Sequence, residues 1–274
     1  MIDVGVFDQE FAHYPHVSLI APQQIRWHKN EELPVTVFTD RTLNLAADAK
    51  CQRKIAWIME PREYRPEPYE FIEKSFIDFD YVITHDLRLM RKCGTKGLFC
   101  NASATTWMLD QDQGIHPKTK LMSMITSGKM ATEGHQLRES VADVTEHFID
   151  VFGPRRAHQL APLYGKIDAL RDYQFTIIVL NSDANCFFTE ALIDAFRTGT
   201  IPIFWGTREI TYHFHPNGIL RFEDLEGLEK LLQYISPDLY QHRLDAVRVN
   251  FEIASQYRAP EDWLVSRYPF LFDL

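Results

Sequence analysis

The chain has 274 residues, 45% hydrophobic and 24% charged, with a formal net charge of -9. That suffices for one large or two modest α/β domains with buried cores. The acidic balance argues against a nucleic-acid protein, which carries a basic face or stripe, and no apolar run approaches the roughly 18 residues of a membrane-spanning helix.

Residues 1–10 have no basic region ahead of an apolar one, so no signal peptide is read there. Cys51, Cys93, Cys100 and Cys186 are scattered without metal-site spacing, which suits reduced thiols in a cytosolic protein.

Residues 2–7 read as a first strand, and 10–22, with His13, Pro15 and His16, as irregular chain. Strands are expected at 33–38 (LPVTVF), 54–59 (KIAWIM), 80–84 (DYVIT) and 97–100, with helices at 43–49, 69–76 and 87–93. This alternation predicts an open α/β domain over residues 1–105. Residues 101–117 hold turn formers without a helical period and read as a linker.

A second α/β domain is expected over residues 118–256. Its first strand is 120–126, followed by the turn Ser127-Gly128-Lys129 and a helix at 135–148 with Leu137, Val141 and Val144 inward. A strand at 149–152 leads to the basic loop Gly153-Pro154-Arg155-Arg156, and 160–170 reads as loop and short helix. The centre of this half is 173–206. A β-branched run at 175–180 is broken by Asn181-Ser182-Asp183, apolar residues at helical spacing follow over 187–196, and a strand starts at Ile201-Pro202. Such a unit presents a loop and a helix amino terminus at the carboxyl edge of a sheet, where open α/β folds bind phosphate ligands. A short strand at 218–222 and helices at 224–235 and 237–253 complete the half. The tail, 257–274, carries Tyr257, Trp263, Tyr268, Phe270 and Phe272, and is expected to pack.

Three constellations could carry chemistry. Glu60, just past a buried strand, suits a general base; it equally suits an ion pair with Arg62 or a helix cap. Ser127, Gly128 and Lys129 with Arg138, and Arg155 with Arg156, suit a diphosphate, or else form a solvated basic face. Asn181 and Ser182 with Glu190 could hold ribose or sugar hydroxyls, or Glu190 simply favours a helix start. Asp110-Gln111-Asp112 and Asp78-Phe79-Asp80 have the spacing of a metal-binding Asp pair, but read more simply as linker and strand entry. There is no GxGxxG, no Walker loop and no nucleophile elbow.

Asn181-Ser182, Phe187-Phe188-Thr189-Glu190 and Ile201-Pro202-Ile203-Phe204-Trp205-Gly206 together resemble the donor-binding motif of glycosyltransferase family ten, the α-1,3/α-1,4-fucosyltransferases. KLMSMITSGKMATEGHQLRESV is similar to the family's strand, turn and Arg-bearing helix, which puts Arg138 on its phosphate-binding arginine. RKIAWIMEPREYRP is similar to the strand ending in the family's catalytic carboxylate, which falls on Glu60. The likeness runs over roughly residues 53–253. It implies a GT-B fold: two Rossmann-like open-sheet domains facing a cleft, the first on the acceptor side, and a carboxyl-terminal helix returning to the amino-terminal half.

The implied activity is inverting, metal-independent transfer of a sugar, fucose from GDP-fucose, to a hydroxyl of a glycan or oligosaccharide acceptor. Glu60 would be the base. Arg138, Ser127, Lys129, Arg155, Asn181, Ser182, Phe187, Thr189 and Glu190 would hold the donor. No metal, nucleic acid or integral membrane segment is implied, and the expected location is the cytoplasm or loosely at a membrane surface. Two departures stand out. The Glu before Asn-Ser is Leu180, and the Lys that follows Thr-Glu is Ala191. Loss of that ammonium removes a charge-assisted contact of about 1.5–3 kcal/mol. Lys129, Arg155 or Arg208 could replace it, the donor could be another nucleotide sugar, or the protein could bind one without turnover.

Overall fold

A computed structural model describes residues 1–13, 15–161 and 165–274. Its contacts divide the chain into two units. One comprises Met1–Thr105, Ala184–Phe187 and Tyr257–Leu274, the other Thr106–Asp183 and Phe188–Gln256.

In the first unit the elements are β1 (Ile2–Phe7), β2 (Ile25–Lys29), β3 (Val35–Thr39), β4 (Arg53–Trp57), α1 (Pro66–Ser75), β5 (Tyr81–Thr84), α2 (Leu87–Cys93) and β6 (Gly97–Phe99). All six strands are parallel, in the order β2-β1-β3-β4-β5-β6. The sequence reading lacks β2, because IRWHK has only two apolar residues. Their alternation is the signal: Ile25 and Trp27 face the core of this edge strand while Arg26 is exposed. One sheet face is filled by Val4, Val6, Ile55, Trp57 and Ile83, the other by Phe38, Ala56, Ile58, Tyr69 and Val82.

The second unit contains β7 (Lys120–Ile125), α3 (Glu133–Thr145), β8 (Asp150–Phe152), β9 (Tyr173–Val179), α4 (Glu190–Arg197), β10 (Ile201–Trp205), β11 (Leu220–Arg221), α5 (Leu225–Leu232), α6 (Pro237–His242) and α7 (Leu244–Ala254). Its parallel sheet runs β11-β10-β9-β7-β8. All seven residues of β9 are buried, as a central parallel strand requires. Strand order reverses between β7 and β9, so the open edge above those two strands is the topological switch point of this sheet.

The chain then returns to the first unit as α8 (Pro260–Arg267). Leu264, Val265 and Leu271 join the first core, and Trp263, Tyr268 and Phe272 pack on it. Polar groups fix the helix start: Glu261 accepts from the Val17 N–H (2.9 Å) and Trp27 Nε1 (3.3 Å), and Asp262 from the Gln23 and Gln24 N–H groups.

The structure corrects two local expectations and adds detail to a third. The helix expected from residue 187 begins at Glu190, because Thr189 turns its hydroxyl oxygen onto the Ala191 N–H and caps it there. The expected linker is ordered: Thr106 Oγ1 and the Trp107 N–H both donate to Asp194, and the Gly114 N–H donates to the Arg197 carbonyl. Val144, assigned to the inner face of α3, is exposed. The expected loop and short helix at 160–170 includes residues 162–164, which lie outside the described residues; a 3-10 turn spans Gly165–Ala169. Among the described residues, no helix is long and apolar enough to cross a membrane.

Candidate functional site

The second unit gathers most of the expected donor residues at its switch point. β7 leaves the sheet into Thr126-Ser127-Gly128, and β9 leaves it into Leu180-Asn181-Ser182. Between them α3 starts, capped by Thr132, whose oxygen accepts from the His135 N–H and whose hydroxyl donates to the Asn181 carbonyl at 2.6 Å. Gly134 permits this approach. A Cβ at that position would lie 2.2 Å from the Leu180 carbonyl oxygen, which no side chain tolerates. One turn on, Arg138 donates from Nε to the Val179 carbonyl (2.6 Å) and from Nη1 to Ser127 Oγ (3.3 Å). Burial pulls its guanidinium below the usual range, against the pull of Glu190 and Glu139. A half-buried arginine beside a helix amino terminus is a ready site for an anion.

The other basic candidates separate. Arg156 is committed to α3, donating to Glu139 (2.8 Å), Asp143 (2.7 Å) and Glu146 (2.8 Å). Lys129 is exposed, as is Arg155, whose φ is 62° and whose guanidinium stands by the Gly128 turn. Arg208 is 74% exposed and paired with Glu223, so it forms a surface ion pair.

Glu190, the first residue of α4, meets a partner the sequence did not reveal. Lys166 donates to Glu190 Oε1 (2.8 Å), lies 3.4 Å from Asp194 Oδ2, and stands 4.2 Å over the Trp107 ring. Burial pushes the Glu190 carboxyl up, but the Lys166 charge and hydrogen bond overcome it, and the group ends below its ordinary range. Asp194 is fully buried, and burial wins there, leaving it at about 6. Ala191 thus adds no charge to α4, while an ammonium reaches Glu190 from the 3-10 turn at Gly165–Ala169. Lys166 sits in a stretch with no helical period, and no spacing ties it to position 190; only the fold does.

Phe187 and Phe188 are each 1% exposed. Phe187 rests on His85 within the first unit (4.9 Å between centroids), and Phe188 lies against His213 and Phe214 in the second. Ser182 is buried, and Thr189 is the helix cap.

In the first unit, Glu60 follows β4 by three residues and is partly exposed. Its N–H donates to Asp40 and its carbonyl accepts the Tyr69 hydroxyl. Arg62 turns to Glu73 (2.9 Å) and Asp86 (3.5 Å) and covers the Tyr69 ring. Asp40 and Tyr69 were not singled out in the sequence. Burial, reinforced by Glu10 and Glu60, raises Asp40 to about 7 against two backbone hydrogen bonds.

A cavity of about 800 Å³ opens at the opposite, amino-terminal ends of β7, β8 and β9. Its polar groups satisfy one another: Asp150 accepts from the Tyr173 hydroxyl (2.6 Å) and from Lys120 (3.2 Å), with His158 at 3.3 Å. Among the described residues, no group of three or more His, Cys, Asp or Glu side chains could hold a metal ion.

Two open parallel sheets, each with polar candidates past the carboxyl ends of its strands, define the fold of GT-B glycosyltransferases. Solved structures carry the same fold. An α1,3-fucosyltransferase with GDP matches over 98% of this chain and 90% of that one, with TM-score 0.54 at 16% identity. Anabaena Alr3699/HepE in complex with UDP-glucose matches over the whole of both chains, with TM-score 0.66 at 10% identity. Residues 115–244, nearly all of them in the second unit, match the model of the C-terminal region of glycosyltransferase family 10 (fucosyltransferase). The α-(1,3)-fucosyltransferase FucT of Helicobacter pylori is 30% identical over 70 residues, which is 26% of this chain and 15% of the length of that relative.

Proposed function

We propose that this protein is an inverting, metal-independent glycosyltransferase that moves fucose from GDP-fucose to a hydroxyl of a glycan acceptor. The observation that carries this reading is the group at the switch point of the second sheet, within the family-matching region: the α3 amino terminus, Arg138 on Ser127 and Val179, the Asn181-Ser182 turn, and Glu190. GDP and GDP-fucose are bound in solved structures of an α1,3-fucosyltransferase of the same fold.

In this reading Glu60 takes the proton of the acceptor hydroxyl. The oxygen attacks the anomeric carbon opposite the diphosphate, and the carbon–oxygen bond to the nucleotide breaks. Arg138 and the α3 amino terminus stabilise the charge on the departing GDP. Glu190 and Asn181 hold hydroxyls of the donor. Ser127, Lys129 and Arg155 line its phosphate side, with Ser182 and Thr189 supporting the turn. The acidic composition and four free cysteines suit a reducing, cytoplasmic location.

A second reading keeps the reaction class and changes the donor. It is favoured by Ala191 and by the fold likeness to a protein solved with UDP-glucose. A thermal-shift series with GDP, UDP, CMP and their sugars, with and without EDTA, separates the two. Stabilisation by GDP and GDP-fucose that survives EDTA supports the first, and a metal-dependent shift with UDP overturns it. Glu60→Gln is expected to abolish transfer with GDP affinity nearly intact; equal loss of both removes Glu60 from the role of base.

A further inference from the structure

Glu60 lies beyond the hydrogen-bonded register of β4, where the sheet no longer fixes the chain. Two buried side chains from other elements hold it instead. Asp40, the residue after β3, accepts the Met59 N–H at Oδ1 (2.9 Å) and the Glu60 N–H at Oδ2 (3.2 Å). Tyr69, on α1, donates its hydroxyl to the Glu60 carbonyl (2.8 Å). The donor and the acceptor of residue 60's backbone are therefore both bound by side chains 4% and 0% exposed. Tyr69 is itself held between the Arg62 guanidinium, 4.4 Å from its ring centroid, and His85 Nε2, 3.5 Å from its oxygen.

Asp40 is an expensive residue for this task. It is buried near Glu10 and Glu60, both of which oppose its charge. A neutral asparagine would be easier to bury, but it presents one oxygen and one NH2 group. In the same pose it would satisfy one of the two amides and set its NH2 donor against the other. The Asp40 carboxylate presents a separate oxygen to each of two successive N–H groups, and those two bonds fix the backbone that aims the Glu60 side chain.

We propose that Asp40 and Tyr69 are positioning residues for Glu60, fixing the direction in which its carboxylate meets the acceptor hydroxyl. This rests on the reading of Glu60 as the base. Neither residue is assigned contact with the reacting atoms; both act through the peptide of residue 60.

The test is a double-mutant cycle on hydrolysis of GDP-fucose, with water as the acceptor, alongside GDP calorimetry and amide hydrogen exchange. Asp40→Asn is expected to lower kcat at least ~10-fold with KM for GDP-fucose within ~2-fold, the signature of a group that acts on the chemical step. Tyr69→Phe should lower kcat by a smaller factor. Each should have no further effect in the Glu60→Gln background, because their influence passes through Glu60. The Met59 and Glu60 amides should exchange faster in Asp40→Asn.

Asp40→Asn with wild-type kcat where Glu60→Gln is inactive, or a further drop in the double variant, overturns the proposal. If Asp40→Asn shows no melting transition, Tyr69→Phe decides the same cycle. If the wild type does not hydrolyse GDP-fucose, or Glu60→Gln does so normally, the base reading fails by itself. Hydrogen exchange then decides positioning: unchanged protection of Met59 and Glu60 in Asp40→Asn overturns it, and lost protection supports it.

Discussion

Replacing Lys166 by methionine keeps most of the side-chain volume and removes the charge shared by Glu190 and Asp194. In the native unit the ammonium is 16% exposed, Glu190 22% and Asp194 0%, so water screens the group little. Breaking a buried ion pair from one side costs about 3–5 kcal/mol, because the remaining charge stays in a poorly solvating site. Asp194, at about 6 with the lysine present, rises further without it, so protonation limits the penalty at acid pH. For a protein of this size the cost corresponds to a melting point roughly 6–20 °C lower. The loss should be largest near about pH 8 and smaller near about pH 5. Adding Asp194→Asn should recover part of it, since the deepest carboxylate is then neutral. GDP affinity should fall as well, because Glu190 loses the hydrogen bond that sets its direction. Calorimetry at both pH values, with titrations of GDP, reads all of this. A Lys166→Met protein melting within about 2 °C of wild type near pH 8 would refute the argument.

Glu261 should make the protein less stable as pH rises. Burial raises its folded value from an ordinary 4.5 to about 7, so across that window the folded chain keeps a proton that the unfolded chain has released. Stability therefore falls through the window, by roughly 3 kcal/mol from this group. Glu261→Gln should flatten the melting profile between about pH 5 and pH 8, with Asp40 and Asp194 retaining a slope of the same sign; superimposable profiles would contradict it. Gly134→Ala should cost about 1–3 kcal/mol and weaken GDP binding, since its Cβ meets the Leu180 carbonyl rather than a yielding side chain. An unchanged melting point would refute that. Arg138→Ala should lower GDP affinity roughly 10–100-fold, as expected of a charged hydrogen bond; equal affinity by calorimetry would remove Arg138 from the donor site.

Periodicity and punctuation in the chain were enough to read most of the elements. β9 announces itself as a β-branched run and β10 as an apolar one, because a strand buried on both faces has no polar side to show. Ser127, Arg138 and Asn181 were legible too, because each follows or faces a strand end, and in a parallel sheet such ends share one edge. β2 was missed because an edge strand with one wet face carries half the apolar signal. The start of α4 was misplaced because Phe187 and Phe188 extend the apolar pattern of the helix, yet they precede its Thr189 cap and rest on His85 and on His213 and Phe214 respectively.

What the sequence showed by itself is a resemblance to a family motif, the order of strands and helices apart from β2, and an alanine at position 191 where that motif has a lysine. Tertiary structure alone decided where charge goes: Lys166 onto Glu190 and Asp194, Arg156 onto α3, and Asp40 and Tyr69 onto the peptide of Glu60. Those pairings join residues 9 to 28 positions apart, through elements whose packing sets their distance. Periodicity reports which side of an element is buried. It carries no information about which charged group on another element that side will meet.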